Sequence, residues 1–141
     1  MSSTTPTRYL SFTDARKCLK DILDAAENGA VVSIERGDRV SVVTDRDRLR
    51  DLLVRAVPST ARVVAEKDAW VIVIPQTPFA SEGQSLDAAV DDLIANLRDY
   101  ASEWPDHFAS APNHAGNWAL VQLVNLSSDD ALRAWLLSGE E

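Results

Sequence analysis

The chain has 141 residues, 45% of them apolar, and a net charge of −8; this is enough for one average packed domain or two small ones. No apolar run approaches the roughly eighteen residues that cross a bilayer, MSSTTPTR has no apolar stretch after a charged start, and the single Cys18 has no partner for an internal disulfide. A soluble, cytoplasmic protein without a signal peptide or membrane span is expected.

Residues 1–7 are rich in Ser and Thr and are expected to be disordered, with Arg8 following as an arm. After a short strand at Tyr9, Ser11 and Thr13 are both N-cap candidates for a helix running to Glu27. At about 100° per residue, Phe12, Ala15, Leu19, Ile22, Leu23 and Ala26 fall on a core face with Cys18 at its edge, and Thr13, Arg16, Lys17 and Lys20 form a neighbouring basic stripe. Such a stripe is either a solvated surface or a contact for phosphates. Cations near the amino end of a long helix oppose its macrodipole, and this placement favours the second reading.

Asn28-Gly29 ends the helix. The β-branched runs 30–35 and 39–43 then form a hairpin through Arg36-Gly37-Asp38, with Arg36 and Arg39 flanking its tip. Thr44, with Asp47 three residues on, resembles a capping box for a helix with Leu49, Leu52 and Leu53 inward. Pro58, within Ala56–Thr60, marks the boundary between an expected domain of residues 1–57 and another of residues 58–141.

The second half reads as ββαβα. Strands at 61–66 and 70–74 are followed by a loop through Glu82-Gly83 and a helix capped by Ser85, running to about Glu103 and closed by Pro105. A strand at Trp118–Val124 and a last helix, capped by Ser127 or Ser128 with Leu132, Trp135 and Leu136 inward, complete it. All four Trp lie in this half. Trp104, at a helix end, is the one expected to be exposed and to bind a partner.

The charge is uneven. Residues 1–57 hold ten Lys/Arg against nine Asp/Glu, and residues 58–141 hold four against thirteen. Either the first half meets an anion and the second something basic, or the acidity only maintains solubility.

Over roughly the first 55 residues, the ordered set Ser11, Ala15, Arg16, Leu19, Leu23, Gly29, Val31, Val32, Ile34, Arg36, Gly37 and Val40 to Val43 resembles the Phd/YefM (prevent-host-death) antitoxins. Cys18 departs from that pattern, which often has Asn there. The resemblance implies a β-α-β-β-α module, a homodimer or higher oligomer that binds operator DNA and pairs with a toxin, and DNA contacts at Arg16 and Arg36. From Arg62 to Ala101, R-V-V-A-E-K-D-A-W-V-I-V-I-P-Q-T-P followed by E-G-Q-S-L-D-A-A-V is similar to HicB-like antitoxin domains, with Ala69 and Phe79-Ala80 departing from the pattern. That similarity implies a partial ribonuclease-H-like layer without catalysis that covers a toxin.

No catalytic or metal-binding constellation is legible, and no cofactor is expected. Asp91 and Asp92 point about 100° apart on a helix, His107 and His114 match no common zinc spacing, the glycines sit in separate turns, and Cys18, at the edge of an apolar face, reads as a small buried residue. The expectation is an α+β antitoxin and autorepressor. Arg8, Thr13, Arg16, Lys17, Lys20 and Arg36 would meet DNA, and the second module would bind a basic toxin such as one acting on RNA. The alternative is a transcription regulator whose second module oligomerises or holds a small ligand, for which an enclosed, apolar pocket near Trp118 would speak.

Overall fold

A computed structural model describes residues 6–139; the Ser/Thr-rich start up to residue 5 lies outside the described residues. The fold is α+β, with two three-stranded sheets and six α-helices among the described residues. It divides into two compact units, the described parts of Met1–Leu49 and of Arg50–Glu141. The division falls inside a helix, ahead of the Pro58 segment.

In the first unit β1 (Arg8–Tyr9) leads through α1 (Phe12–Lys17) and α2 (Leu19–Glu27) to β2 (Val32–Arg36), which pairs parallel to β1 and antiparallel to β3 (Arg39–Val43). The expected β-α-β-β order is present, but its helix is broken at Cys18. There the backbone (φ −110°, ψ 22°) leaves helical geometry, and the Cys18 amide donates to the Ala15 carbonyl three residues back. Of the two cap candidates Ser11 is the cap, its hydroxyl accepting from the Asp14 amide at 3.1 Å; Thr13 lies inside α1.

The break also corrects the core face. A face projected at constant pitch loses its meaning across a bend, and only Ala15, Ile22 and Ala26 of the expected set are buried, together with Tyr9 and Val32. Phe12, Leu19 and Leu23 are 53%, 52% and 47% exposed.

The hairpin turns in two residues, Gly37 and Asp38, because Arg36 faces Arg39. Gly37 has φ +62°, a conformation cheap only for glycine. The next helix, α3 (Arg46–Ala56), is capped by Asp45 and not by Thr44: its carboxylate accepts from the Arg48 amide at 3.2 Å.

The second unit departs further from expectation. The strands β4 (Arg62–Ala65) and β5 (Trp70–Val73) pair antiparallel as expected, but the following loop contains a third strand, β6 (Ala80–Gly83), antiparallel to β5. A-S-E-G carries no β-branched residue, so it forms by pairing and not by propensity. Ser85 caps α4 (Leu86–His107), whose Ser85 hydroxyl accepts from the Ala88 amide. The helix continues through Pro105: in the last turn proline removes only one amide donor, and the Phe108 amide still reaches the Trp104 carbonyl at 3.0 Å.

The expected strand at Trp118–Val124 is a helix, α5 (Trp118–Leu126), and Ser128 caps α6 (Asp129–Leu137). The order is therefore βββααα and not ββαβα. Ile72 from the sheet and Val90, Leu93, Leu97, Leu123, Val124, Leu132 and Leu136 from the helices are fully buried. Gly83 permits the close approach of β6 to α4, because a Cβ there would lie 2.7 Å from the Ala89 amide nitrogen.

Candidate nucleic-acid interface

Four cations of the first unit lie on two short elements. Arg16 and Lys17 occupy the last turn of α1, and Arg36 and Arg39 face each other across the hairpin turn. Because α1 ends at Lys17 and α2 begins at Leu19, these two cations lie between the carboxyl end of one short helix and the amino end of the next, and the two dipoles act on them in opposite senses.

The hairpin tip and α1 are joined by one contact. The Arg36 guanidinium lies 5.6 Å from the centre of the Phe12 ring, within cation–π range. Phe12 and Arg16 are four residues apart and share one side of α1. Arg36 is thus brought to the side of α1 that carries Arg16, while Thr13 and Lys17 lie about 100° and 140° round the helix from Phe12; all four are exposed. Among the described residues, none of Arg16, Lys17, Arg36 and Arg39 forms an ion pair with a carboxylate.

Two other expected contacts are differently placed. Arg8 is anchored in β1, where its Nε and Nη2 both donate to one oxygen of Glu35, at 3.1 and 2.6 Å. Lys20 lies beyond the break, on α2, and donates to Asp24 at 2.8 Å, which raises its pKa. The carboxylates compensating these two charges make them poorer phosphate ligands than Arg16 or Arg36.

The face of this sheet turned away from Arg36 and Arg39 carries exposed apolar side chains. On β3, Val40 and Val42 are 62% and 58% exposed, on the sheet face opposite the buried Val32. Contiguous exposed apolar residues of this kind mark interaction surfaces.

In the second unit Trp104 is buried, with its indole nitrogen donating to the His114 carbonyl at 2.9 Å, which corrects the expectation of an exposed side chain. The exposed tryptophans are Trp70 and Trp118. Both begin an element, a position that the sequence shows but that carries no signal of exposure. His114 takes part in a polar cluster: its Nδ1 is 2.8 Å from the Tyr100 hydroxyl, which also accepts from Asn117 at 3.0 Å. A cavity of about 350 Å³ is lined by Pro58, Ile74, Leu120, Trp135 and the two neighbours of Trp118, Asn117 and Ala119. Among the described residues, no helix is long and apolar enough to cross a membrane.

A crystal structure from Syntrophomonas wolfei subsp. wolfei, of the antitoxin part assigned to a toxin/antitoxin system, superposes with a TM-score of 0.73 over 90% of this chain and 94% of that one, at 19% identity. At that identity the likeness is one of fold. A search among curated proteins gives no match. A family model described as PHD-like, antitoxin of toxin–antitoxin RelE/RelB systems, matches residues 7–137, almost the full length and through both units. The chain belongs to this PHD-like family and is an antitoxin of a toxin–antitoxin system.

Proposed function

We propose that the protein acts in the cytoplasm as an antitoxin that binds the operator of its own operon as a dimer, represses it, and neutralises a basic protein toxin. Residues 1–57 would act as a Phd/YefM-type DNA-binding and dimerisation domain and residues 58–141 as a HicB-like toxin-binding domain. The observation that carries the reading is the pair of uncompensated cations Arg16 and Arg36, brought to one side of α1 by the contact of Arg36 with Phe12, with Lys17 uncompensated in the same turn. Phosphate contacts would supply most of the affinity.

Dimerisation through the hairpin and first helices would pair two such sets of cations on a palindromic site. The exposed Phe12, Leu19, Leu23, Val40 and Val42 supply apolar surface for it. Thirteen of the 22 acidic residues lie beyond residue 57, which suits a basic partner and repels nucleic acid from the second domain. The role is regulatory and not catalytic.

A reporter fused to the gene's upstream region tests this. The full chain should repress it and Arg16→Ala should restore expression, whereas equal expression with and without the protein would refute autorepression.

The apolar cavity beside Trp118 supports a second reading, a stand-alone regulator whose second domain holds a small ligand. A ligand of that kind would shift DNA affinity without any toxin.

A further inference from the structure

The hydrogen-bond parity of the second sheet determines which backbone groups lie free. The Ile74 amide donates to the Phe79 carbonyl at 2.9 Å, so this pair is hydrogen-bonded, and in an antiparallel ladder such pairs alternate. With Ile72 opposite Ser81 and Trp70 opposite Gly83, those residues bond inward. The N–H and C=O groups of Ala80 and Glu82 therefore point away from β5, along an edge that no strand covers among the described residues. The outward face of the same sheet carries Val64, Val71 and Val73, all exposed or half-buried.

A row of negative charge runs beside this edge. On α4, Asp92, Asn96, Asp99, Glu103 and Asp106 fall within about 80° of one another. Asn96 ties the row to β6 by donating to the Ser81 hydroxyl at 3.1 Å, and a groove of about 350 Å³ is lined by Val71, Ala80, Ser81, Glu82 and Asp92. Among the described residues, Glu82, Asp92, Asp99, Glu103 and Asp106 form no ion pair, whereas Asp87 and Asp91, elsewhere on α4, are taken up by Arg133. The helix thus has one compensated acidic side and one open side, and the open side borders the unpaired strand edge.

We infer that the toxin docks here, by adding an extended, basic segment to the free edge of β6 with its Lys or Arg side chains over the acidic row of α4. The inference rests on the reading of the second domain as toxin-binding and specifies where and how it binds. Strand addition supplies main-chain hydrogen bonds, alternate side chains can cover Val71 and Val73, and the charge sets polarity and partner. A second copy of this chain is a poor occupant, because it would set Glu82 and the acidic row against their own like charges. A nucleic acid is repelled by the same row.

The test uses the full chain, co-expressed with the product of each flanking reading frame, and measures association by titration calorimetry and amide hydrogen exchange. In the complex, exchange at Ala80 and Glu82 should slow by at least about tenfold. The triple variant Asp92→Asn, Asp99→Asn, Glu103→Gln should weaken association about tenfold, as expected for three charge pairs at a solvated surface. The charge-matched variant Glu66→Gln, Asp68→Asn, Asp130→Asn should leave it within about twofold.

Unchanged exchange at β6 in a complex that forms, or equal weakening by both triple variants, would overturn the docking surface while leaving toxin binding intact. No complex with either product would overturn the toxin-binding reading and the docking surface with it.

Discussion

The Arg36 guanidinium rests 5.6 Å over the ring of Phe12, so a hairpin tip and a six-residue helix present their cations together. Phe12 is exposed and contributes little to the core, which makes its role separable from folding. Phe12→Ala should weaken operator binding about two- to fivefold and lower stability by no more than about 1 kcal/mol, the range of a solvated cation–π contact. Unchanged affinity would show that Arg36 needs no positioning.

The exposed valines of β3 give a prediction about assembly. Val40→Lys with Val42→Lys adds charge to a surface that is solvent-exposed in the single chain, so the fold should tolerate it. Sedimentation equilibrium should then show a dimer for the parent chain and a monomer for the variant. A dimer that persists would place the interface elsewhere.

Arg98 binds three groups at the end of α5. It donates to the Val124 carbonyl at 2.8 Å, the Ser127 carbonyl at 2.9 Å and Asp129 at 2.6 Å. These carbonyls belong to a helix terminus that has few other donors, and the charge also suits the dipole. Arg98→Ala should lower unfolding free energy by about 1–3 kcal/mol, measured by urea denaturation, while Arg98→Lys should recover only part of it.

Gly83→Ala should cost about 1–3 kcal/mol through overpacking. The new Cβ would meet the Ala89 nitrogen at 2.7 Å and the Ala88 Cβ at 2.9 Å, and the first of these is backbone that cannot rotate away. A neutral result by the same denaturation would mean that α4 can shift off β6 at little cost.

Tyr9 provides a pH signature. Burial, then the neighbouring Cys18 and Asp21, raise its pKa above the ordinary 10.0. A raised folded-state pKa means that the folded form keeps the phenol proton longer. The contribution is full below the unfolded value and is lost as pH rises through the folded one. Tyrosinate absorbance should show Tyr9 ionising late, and first-unit stability should fall over that alkaline window.

The sequence was most informative where pattern and local chemistry agreed. The hairpin was legible because β-branched runs flank a glycine that the turn requires, and the Ser11, Ser85 and Ser128 caps because a hydroxyl precedes each helix. Trp118–Val124 was misread because a short, uniformly apolar run has no period, and only its burial among other helices decides between strand and helix. β6 was missed because Ala80–Gly83 owes its strand to β5. The bend at Cys18 has no turn residue to announce it; with it went both the projected core face and the dipole argument. Of the expected DNA-contacting residues, Arg36 is brought beside Arg16 on α1, which also carries Thr13 and Lys17, whereas Arg8 and Lys20 are paired with carboxylates that the sequence places far off or only along the same helix.

The first domain is expected to bind operator DNA through Arg16, Lys17 and Arg36 of two subunits. Fluorescence anisotropy on a duplex from the gene's own upstream region, against a scrambled duplex and across salt, tests it most directly. With six phosphates neutralised, log K should fall by about five per decade of salt, and Arg16→Ala should reduce that slope by about two. Feeble, equal binding to both duplexes, or a slope that Arg16→Ala leaves unchanged, would mean that the first domain does not bind its operator through these residues.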